Sequence, residues 1–367
     1  MIPFVDLAAQ YTALKDEIDR AIGGVIASAA FIHGPAVAEF EKSFAELNGI
    51  RHAVGVASGT DALHLAVRAL GLGPDDEVIT VANTWISTAF AVTYVGARVV
   101  LVDVDVDTYQ MDVAALARAI TPRTRAVIPV HLFGHPAPME EIMALCRPRG
   151  IKVIEDVAQA PLATIAGRPA GTVGDMGCFS FYPSKNLGCY GDGGAVITDD
   201  DGLAAKVRRL ADYGQDGRYH HTEIGYNSRL DTIQAAILSA KLPYLERWNA
   251  ARRANADLYR RSLSDLPLKL PTEAQGAHAV YHLYVVEVDD RDACLAFLRR
   301  RGIMAQVHYP AVIHLQPSYA ELGYRKGDFP VAEAAAERIL SLPMYAELTK
   351  SQIDEVATAL GQFLRRT

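Results

Sequence analysis

Residues 178–188 read Cys178-Phe179-Ser180-Phe181-Tyr182-Pro183-Ser184-Lys185-Asn186-Leu187-Gly188. The stretch begins as an apolar strand and ends in a loop of small, aromatic and apolar residues whose single charge is on Lys185. Between Arg168 and Lys206 the sequence has no other Lys or Arg. Desolvation lowers the pKa of a lysine amine, which can then be neutral and nucleophilic near pH 7. Such an amine forms Schiff bases, and pyridoxal phosphate is the commonest carbonyl cofactor that uses one.

Short β-branched runs alternate with amphipathic stretches over the first two-thirds of the chain. We predict strands at His52–Ala57, Glu77–Val81, Arg98–Asp103, Ala126–Val130, Lys152–Glu155, Met176–Ser180 and Gly194–Thr198. We predict helices between them at Asp61–Leu70, Ser87–Val95, Asp112–Ile120 and Met139–Arg149. Such alternation is typical of an α/β fold with a mostly parallel sheet, in which ligands bind at the carboxyl ends of the strands. Asp156 and His131 follow predicted strands and are therefore well placed for chemistry.

The last third of the chain has a different pattern. A helical stretch, Asp231–Leu263, passes Pro243 and should kink there. Beyond it we predict strands at His278–Val288 and Met304–His308, and helices at Ala293–Arg301, Val331–Leu340 and Lys350–Arg366. We therefore expect a large domain at residues 1–245 and a smaller α+β domain at residues 246–367, with residues 1–10 packing on the small domain. The Gly-rich segment Ala211–Gly225 is predicted to be a surface loop.

Bulk composition narrows the class of protein. The 367-residue chain is half hydrophobic and has a formal net charge of −7, which argues against a nucleic-acid partner. The N-terminus lacks the basic segment and apolar core of a signal peptide. The uncharged window at residues 78–97 could span a bilayer, but its polar residues and β-branched ends favour buried strands and a helix. We expect no membrane segment.

The four cysteines, at positions 146, 178, 189 and 294, lack zinc-ligand spacing and are too sparse for a disulfide scaffold. They predict reduced thiols in a cytoplasmic protein, and no metal site is expected.

A candidate anion site lies where a strand meets a helix. The run is Ala57-Ser58-Gly59-Thr60-Asp61-Ala62-Leu63-His64. Backbone N–H groups at a helix N-terminus bind phosphate, and Gly59 lets the backbone approach the ligand closely. The same residues also cap helices for purely structural reasons, so this run alone leaves both interpretations open.

Two further motifs suit a planar cationic ring. In Glu155-Asp156-Val157-Ala158-Gln159, an apolar strand delivers Asp156 to its carboxyl end, where a buried carboxylate must find a partner. A protonated pyridine nitrogen is such a partner, and Gln159 could donate to the phenolic oxygen of the same ring. Asp156 could instead only cap a helix. Trp85 could stack on the ring, although a packed core tryptophan is the commoner case.

In this order, the motifs closely resemble those of the DegT/DnrJ/EryC1/StrS family of sugar aminotransferases. These are pyridoxal-phosphate enzymes of the aspartate-aminotransferase fold, fold type I. The resemblance covers nearly the whole chain. Its motifs are Pro3-Phe4-Val5-Asp6-Leu7, Gly34-Pro35, Ser58-Gly59-Thr60-Asp61-Ala62-Leu63, Pro129-Val130-His131-Leu132-Phe133-Gly134, Glu155-Asp156-Val157-Ala158-Gln159-Ala160, Ser180-Phe181-Tyr182-Pro183-Ser184-Lys185-Asn186-Leu187-Gly188, Gly191-Asp192-Gly193-Gly194-Ala195, Gly225-Tyr226-Asn227-Ser228-Arg229-Leu230-Asp231 and Ser341-Leu342-Pro343-Met344-Tyr345.

The resemblance implies a role for each matching residue. Lys185 would hold pyridoxal 5'-phosphate as a Schiff base and then act as the base. Asp156 would pair with the pyridine nitrogen and Gln159 with the phenolic oxygen. The remaining cofactor contacts would be the phosphate ligands Gly59, Thr60 and Ser180, the stacked ring of Trp85, and Asn227. Asn227 resembles an asparagine that reaches the phosphate from the neighbouring subunit, which implies a homodimer with shared active sites.

The resemblance also implies amino transfer from L-glutamate to a ketone of a nucleotide-linked sugar. The segments around His308, Tyr309 and His314 resemble the family's sugar side, although they could also be ordinary loop residues. Arg229 is a candidate anion partner for the nucleotide diphosphate or the glutamate carboxylate. We expect a dTDP-linked 3-keto-6-deoxyhexose to give a 3-amino sugar, with a 4-keto sugar or a cyclitol as the alternative.

Two other functions compete with amino transfer. Related dehydratases carry His in place of the Schiff-base lysine, and Lys185 argues against that chemistry. A non-catalytic regulator would have a damaged site, whereas Asp156, Gln159 and Lys185 are all present.

Overall fold

A computed structural model describes residues 1–365 of the protein. Its α-helices are α1 (Leu7–Ala13), α2 (Lys15–Ser28), α3 (Pro35–Asn48), α4 (Gly59–Ala69), α5 (Ser87–Thr93), α6 (Val113–Ala119), α7 (Met139–Cys146), α8 (Asp201–Ala211), α9 (Thr232–Lys241), α10 (Leu245–Leu263), α11 (Arg291–Arg300), α12 (Pro330–Arg338) and α13 (Lys350–Leu364). Its strands are β1 (His52–Val56), β2 (Glu77–Val81), β3 (Arg98–Val102), β4 (Thr124–Ile128), β5 (Lys152–Asp156), β6 (Thr164–Ile165), β7 (Arg168–Pro169), β8 (Met176–Ser180), β9 (Gly194–Thr198), β10 (Ala277–His278), β11 (Tyr284–Glu287) and β12 (Ile339–Leu342).

The central sheet has seven strands in the order β1-β9-β8-β5-β4-β2-β3. Strands β3, β2, β4, β5 and β8 are mutually parallel, and β9 runs antiparallel to both β8 and β1. Because β9 alone is reversed, β1 points the same way as β8, and the carboxyl ends of β1, β2, β5 and β8 lie at one edge. The predicted α/β fold with a mostly parallel sheet is therefore confirmed.

Sequence pattern explains why these strands form the core. Every residue of β2 and β9 is buried, as expected for strands covered by helices on both faces. Helix α4 begins immediately after β1 because the Ser58 hydroxyl accepts a hydrogen bond from the Asp61 N–H and caps it. Pro243 interrupts the predicted long helix, since α9 and α10 are separated by a 3-10 turn at Leu242–Tyr244.

A separate apolar cluster occupies the C-terminal part of the chain. It contains buried residues between Ala256 and Leu364, built around α10, α11, α13 and the antiparallel pair β11–β12. Ile2 belongs to the same cluster, and its backbone pairs with Gly302 and Met304. The boundary that we predict between residues 245 and 246 falls at the start of α10.

Several predicted elements differ from the structure. Met304–His308 is not a strand, because its pairing is limited to one isolated bridge, between Gln306 and Ser341. The predicted strand His278–Val288 is divided into β10, which pairs with β6, and β11, which pairs with β12. The helix predicted at Val331–Leu340 ends at Arg338, because Ile339–Leu342 pairs with β11. The predicted end at Arg366 lies outside the described residues.

Helices α1 and α2 have no counterpart among the predicted elements. Asp6 caps α1 by accepting a hydrogen bond from the Ala9 N–H. In residues 1–365, we find no helix whose length and apolar character would allow it to cross a membrane.

Candidate active site

The loops after β1 and β8 touch at the carboxyl edge of the sheet. A Cβ atom added to Gly59 would lie 2.6 Å from the Ser180 Cβ, and one added to Gly194 would lie 2.4 Å from the Ser58 carbonyl oxygen. The Thr60 hydroxyl donates to Ser87 Oγ at 2.9 Å. Gly59, Thr60 and Ser180 therefore lie together at the N-terminus of α4, where backbone N–H groups favour an anion.

This close approach makes the Gly59→Ala variant informative. We expect the new methyl group to push the two loops apart, which costs about 1–3 kcal/mol of stability and weakens cofactor binding by roughly tenfold or more. Thermal unfolding and an absorbance titration with the cofactor measure the two effects. Gly73→Ala is the matched control, because a Cβ at that position meets nothing within 4 Å. Wild-type cofactor affinity in Gly59→Ala would contradict the assigned anion site.

Asp156 ends β5 as a buried carboxylate. Its Oδ2 accepts from the Thr88 hydroxyl at 2.9 Å, and its Oδ1 accepts from the Ala158 N–H at 3.1 Å. Burial raises the pKa of the Asp156 carboxyl above its ordinary 3.8, and these hydrogen bonds, together with the charge of Lys185, oppose that shift. A buried carboxylate in this position would be stabilised by a cationic partner, such as a protonated pyridine nitrogen.

Glu155 and His131 form a fully buried pair next to Asp156. Glu155 accepts from His131 Nε2 at 2.9 Å and from the backbone N–H groups of Gly171, Val173 and Gly174. His131 Nδ1 accepts from the Ala137 N–H, so its proton is on Nε2. Desolvation opposes ionisation of Glu155, but these hydrogen bonds hold its pKa below 4.5. The pair fixes the end of β5, and thereby Asp156.

Lys185 is half-buried in the loop after β8. Desolvation lowers the pKa of its amine from 10.5 to about 8, and the Asp156 carboxylate opposes the shift. A substantial fraction of the amine is therefore neutral at physiological pH, as a nucleophile requires.

The lowered pKa predicts how the reactivity of Lys185 depends on pH. In the cofactor-free protein, acylation of Lys185 should increase with pH and level off above about 8, whereas a free lysine analogue continues to gain reactivity up to 10.5. Mass spectrometry of the Lys185 peptide gives the midpoint. Because the Asp156 carboxylate raises this pKa, Asp156→Asn should move the midpoint to lower pH. A midpoint near that of the free analogue would contradict the assignment.

Gln159 and Trp85 meet Tyr309 at this edge. Gln159 Oε1 accepts from the Phe133 N–H at 2.6 Å, which turns its amide nitrogen toward Tyr309 Oη at 3.1 Å. The Trp85 ring is 55% exposed, with its centroid 5.2 Å from that of Tyr309. Trp85 is thus not a packed core residue, and its ring is available to a ligand.

His282 and Asn186 also lie at this site, although the sequence did not predict them. The Asn186 amide nitrogen donates to the Val280 carbonyl and to Asn249 Oδ1, so its oxygen faces His282 Nδ1 at 3.2 Å. His282 Nδ1 is therefore the donor, and its Nε2 carries the lone pair. Desolvation and the charge of Lys185 hold the pKa of His282 well below 6.5. Asn186 follows Lys185 directly in the sequence, and this adjacency could have identified it as a site residue.

The remaining predicted site residues differ in their surroundings. Asn227 is exposed, and Arg229 forms an ion pair with Asp212 at 2.8 Å. His308 is near the site: its Nδ1 lies 2.9 Å from Ser341 Oγ, and burial lowers its pKa to about 4.

His314 does not have the position that a sugar contact requires. It is 3% exposed, and its Nε2 lies 2.9 Å from the Glu333 carboxylate. We correct the prediction for this residue, because both its burial and its pairing keep it within the protein interior.

The arrangement fits pyridoxal phosphate in three respects. A glycine cradle lies at the N-terminus of α4, the buried Asp156 carboxylate forms no ion pair within residues 1–365, and the exposed indole of Trp85 lies at the same edge of the sheet. Lys185 supplies an amine of lowered pKa. No group of three or more His, Cys, Asp or Glu side chains within residues 1–365 is arranged to hold a metal ion.

Comparison with known proteins identifies the family that the sequence motifs resemble. The sequence model of the DegT/DnrJ/EryC1/StrS aminotransferase family matches residues 12–361. A UDP-N-acetyl-3-dehydro-alpha-D-glucosamine 3-aminotransferase from Acidithiobacillus ferrooxidans is 49% identical over 99% of this chain and 98% of its own. A dTDP-3-amino-3,4,6-trideoxy-alpha-D-glucose transaminase from Streptomyces venezuelae is 44% identical over 100% of this chain and 97% of its own.

Solved structures give the same result. The crystal structure of S. venezuelae DesV in complex with a ketimine intermediate superposes with a TM-score of 0.97 at 44% identity, and it covers 100% of this chain and 99% of DesV. The chain therefore belongs to the DegT/DnrJ/EryC1/StrS family and is a pyridoxal-phosphate-dependent sugar aminotransferase.

Proposed function

We propose that this protein moves an amino group from L-glutamate to the 3-ketone of a dTDP-linked 3-keto-6-deoxyhexose, which yields a 3-amino sugar. The observation that carries the amino-transfer chemistry is a lysine of lowered pKa, Lys185, whose charge interacts with the buried Asp156 carboxylate. The choice of carbon rests on the relatives, because two of those described above are named for amino groups at C3.

Each proposed role follows from the position of a side chain. When bound, pyridoxal phosphate carries the amino group between the two substrates and withdraws electrons from the reacting carbon. Asp156 would hold the proton on the pyridine nitrogen, and the Gln159 amide would donate to the phenolic oxygen. Gly59, Thr60 and Ser180 would bind the phosphate. Lys185 Nζ would take the α-proton of glutamate and deliver it to the C4′ carbon of the cofactor.

On the sugar side, His308 and Tyr309 are the nearest candidates. Because burial lowers the pKa of His308 to about 4, this imidazole stays neutral at physiological pH and can hydrogen-bond sugar hydroxyls without repelling Lys185. Within one chain the Arg229 guanidinium is paired with Asp212. We therefore propose that Arg229 contacts an anionic group of the substrate bound in the neighbouring subunit.

A UDP-linked 2-acetamido-3-keto sugar is the second candidate. It is favoured by the 49% identity to the UDP-sugar 3-aminotransferase. A reverse half-reaction distinguishes the candidates: the pyridoxal form is mixed with 3-amino and 4-amino sugars linked to dTDP or UDP, and loss of its visible absorption is followed. The proposal predicts the fastest loss with a dTDP-linked 3-amino sugar. Loss only with 4-amino sugars would contradict the assigned carbon, and loss only with UDP sugars would favour the second candidate.

We also propose a homodimer with shared sites. Phe31, Ile32, Tyr213 and Ile224 are exposed apolar or aromatic residues near Asn227. His33 lies 3.4 Å from Asp212, and Asp212 bridges to Asn227, so the segments that carry these residues are neighbours. Exposed clusters of this kind mark interaction surfaces, and this one carries the asparagine expected to serve the partner's phosphate.

Mixed dimers test this arrangement. Lys185→Ala and Asn227→Asp should each be nearly inactive alone, the second because a carboxylate repels the phosphate. If Asn227 serves the partner's site, one site of each mixed dimer keeps both native residues. Random re-association should then restore about a quarter of wild-type activity. No recovery in dimers that demonstrably mix would show that Asn227 acts within its own chain.

A further inference from the structure

The loop that carries Lys185 closes on itself. The Cys189 N–H donates to the Phe181 carbonyl at 2.8 Å, and the Lys185 N–H donates to the Tyr182 carbonyl at 2.9 Å. A Cβ added to Gly188 would lie 2.4 Å from the Pro183 carbonyl oxygen, so the two arms of the loop are in contact. A shift in the position of Gly188 should therefore also move the backbone of Lys185.

Two side chains on one face of α9, Gln234 and Lys241, form hydrogen bonds with the backbone of this loop. Lys241 Nζ donates to the Gly188 carbonyl at 2.7 Å and lies 4.1 Å from the centre of the Tyr190 ring. Gln234 lies seven residues before Lys241 and therefore on the same face of α9. Its side chain is hydrogen-bonded to the backbone of Tyr190. Its Oε1 accepts from the Tyr190 N–H at 2.8 Å, and its Nε2 donates to the Tyr190 carbonyl at 3.3 Å.

Lys241 is an unusual choice for such a position. Its side chain is 0% exposed, and no carboxylate within residues 1–365 lies within ion-pair distance of its amine. Burying a cation without a counter-ion is unfavourable, and an apolar side chain of similar length would fill the same space. Burial accordingly lowers the pKa of Lys241 to about 8. A packing role alone does not explain an amine there, whereas its contact with the Gly188 carbonyl does.

We propose that Lys241 is a positioning residue that fixes the Lys185 loop through the Gly188 carbonyl and the Tyr190 ring, and so sets the place of the Lys185 amine. The inference rests on the role assigned to Lys185 under the proposed function. Lys241 would act through the Gly188 carbonyl and the Tyr190 ring, which its amine contacts, and not on the reacting groups. Because misplacement of a reacting group by about 1 Å can lower a rate by 10²-fold, a loose loop should reduce kcat more than it changes KM.

Lys241→Met tests the proposal, with Lys241→Arg as the conservative variant. We expect Lys241→Met to lower kcat by about 10- to 100-fold with KM for glutamate nearly unchanged. Lys241→Arg should recover a large part of the loss. In the cofactor-free protein, the pH midpoint of Lys185 acylation should shift in Lys241→Met, and hydrogen exchange across residues 181–193 should quicken. Lys42→Met, at an exposed position on α3, is the matched control and should leave all readouts unchanged.

Two outcomes would overturn the proposal. The first is a folded Lys241→Met with wild-type kcat and an unchanged Lys185 midpoint, and the second is Lys241→Arg as defective as Lys241→Met. If Lys241→Met fails to fold, Tyr190→Leu removes the ring contact at a partly exposed position; a lower kcat supports the proposal, and wild-type kcat contradicts it. Failure of the proposed function would be distinct, because it would appear as turnover by Lys185→Ala.

Discussion

Replacement of Lys185 by alanine is expected to reduce turnover to the limit of detection. The substitution removes the amine that would hold the cofactor and also the base that would move the α-proton of glutamate. Loss of a positioned general base alone lowers a rate by about 10²- to 10⁴-fold. Because no other lysine lies between Arg168 and Lys206 in the sequence, no neighbour along the chain can take over.

Steady-state turnover with glutamate and the preferred keto sugar measures this loss. Lys206→Ala, which removes the next lysine along the chain on helix α8, is the matched control and should keep near-normal turnover. A small primary amine added to Lys185→Ala should restore part of the proton transfer, since the space left by the side chain admits it. Near-normal turnover by Lys185→Ala without added amine would show that Lys185 is not the base.

Asp156→Asn should give the second-largest loss, about 10²- to 10⁴-fold in kcat/KM. The amide keeps the shape of the side chain but cannot neutralise a protonated pyridine nitrogen, and a buried charge without its partner costs about 3–5 kcal/mol. Each 1.36 kcal/mol in the barrier is tenfold in rate. Thr88→Val, which removes one hydrogen bond to the carboxylate but not its charge, should have a smaller effect.

Kinetics of both half-reactions and cofactor affinity separate the contributions of Asp156. Both half-reactions should slow together, because both need the same proton on the ring. Asp265→Asn is the control, at an exposed position after α10. An Asp156→Asn variant that lost cofactor affinity but kept its rate when saturated would show that Asp156 binds the ring without activating it.

Local patterns predicted much of the central sheet, and they placed several candidate cofactor residues at its edge. All seven strands of the central sheet lie within about two residues of their predicted positions, because buried parallel strands read as short β-branched runs between helices. Gly59, Asp156 and Gln159 were candidates for the same reason, since each stands at a strand end or within three residues of one, whereas the role of Ser180 came from the family resemblance. Lys185 follows in the adjoining loop.

Contacts between residues distant in sequence could not be predicted. The hydrogen bond between Asn186 and His282 joins positions 96 residues apart, and that of Lys241 with the Gly188 carbonyl joins positions 53 apart. His314 looked like a loop residue near a ligand, but its burial depends on Glu333, which the fold brings to it. Met304–His308 has a strand-like composition, yet its partners in the fold allow only isolated bridges.

Borohydride reduction followed by peptide mapping tests the central claim most directly. The cofactor-loaded protein is reduced, digested and searched for the lysine that carries the reduced cofactor. The account predicts one labelled peptide, which contains Lys185, and loss of that label after prior treatment with L-glutamate. Lys241 is the discriminating alternative, because burial also lowers its pKa to about 8. Label on Lys241, or on no lysine at all, would contradict the account.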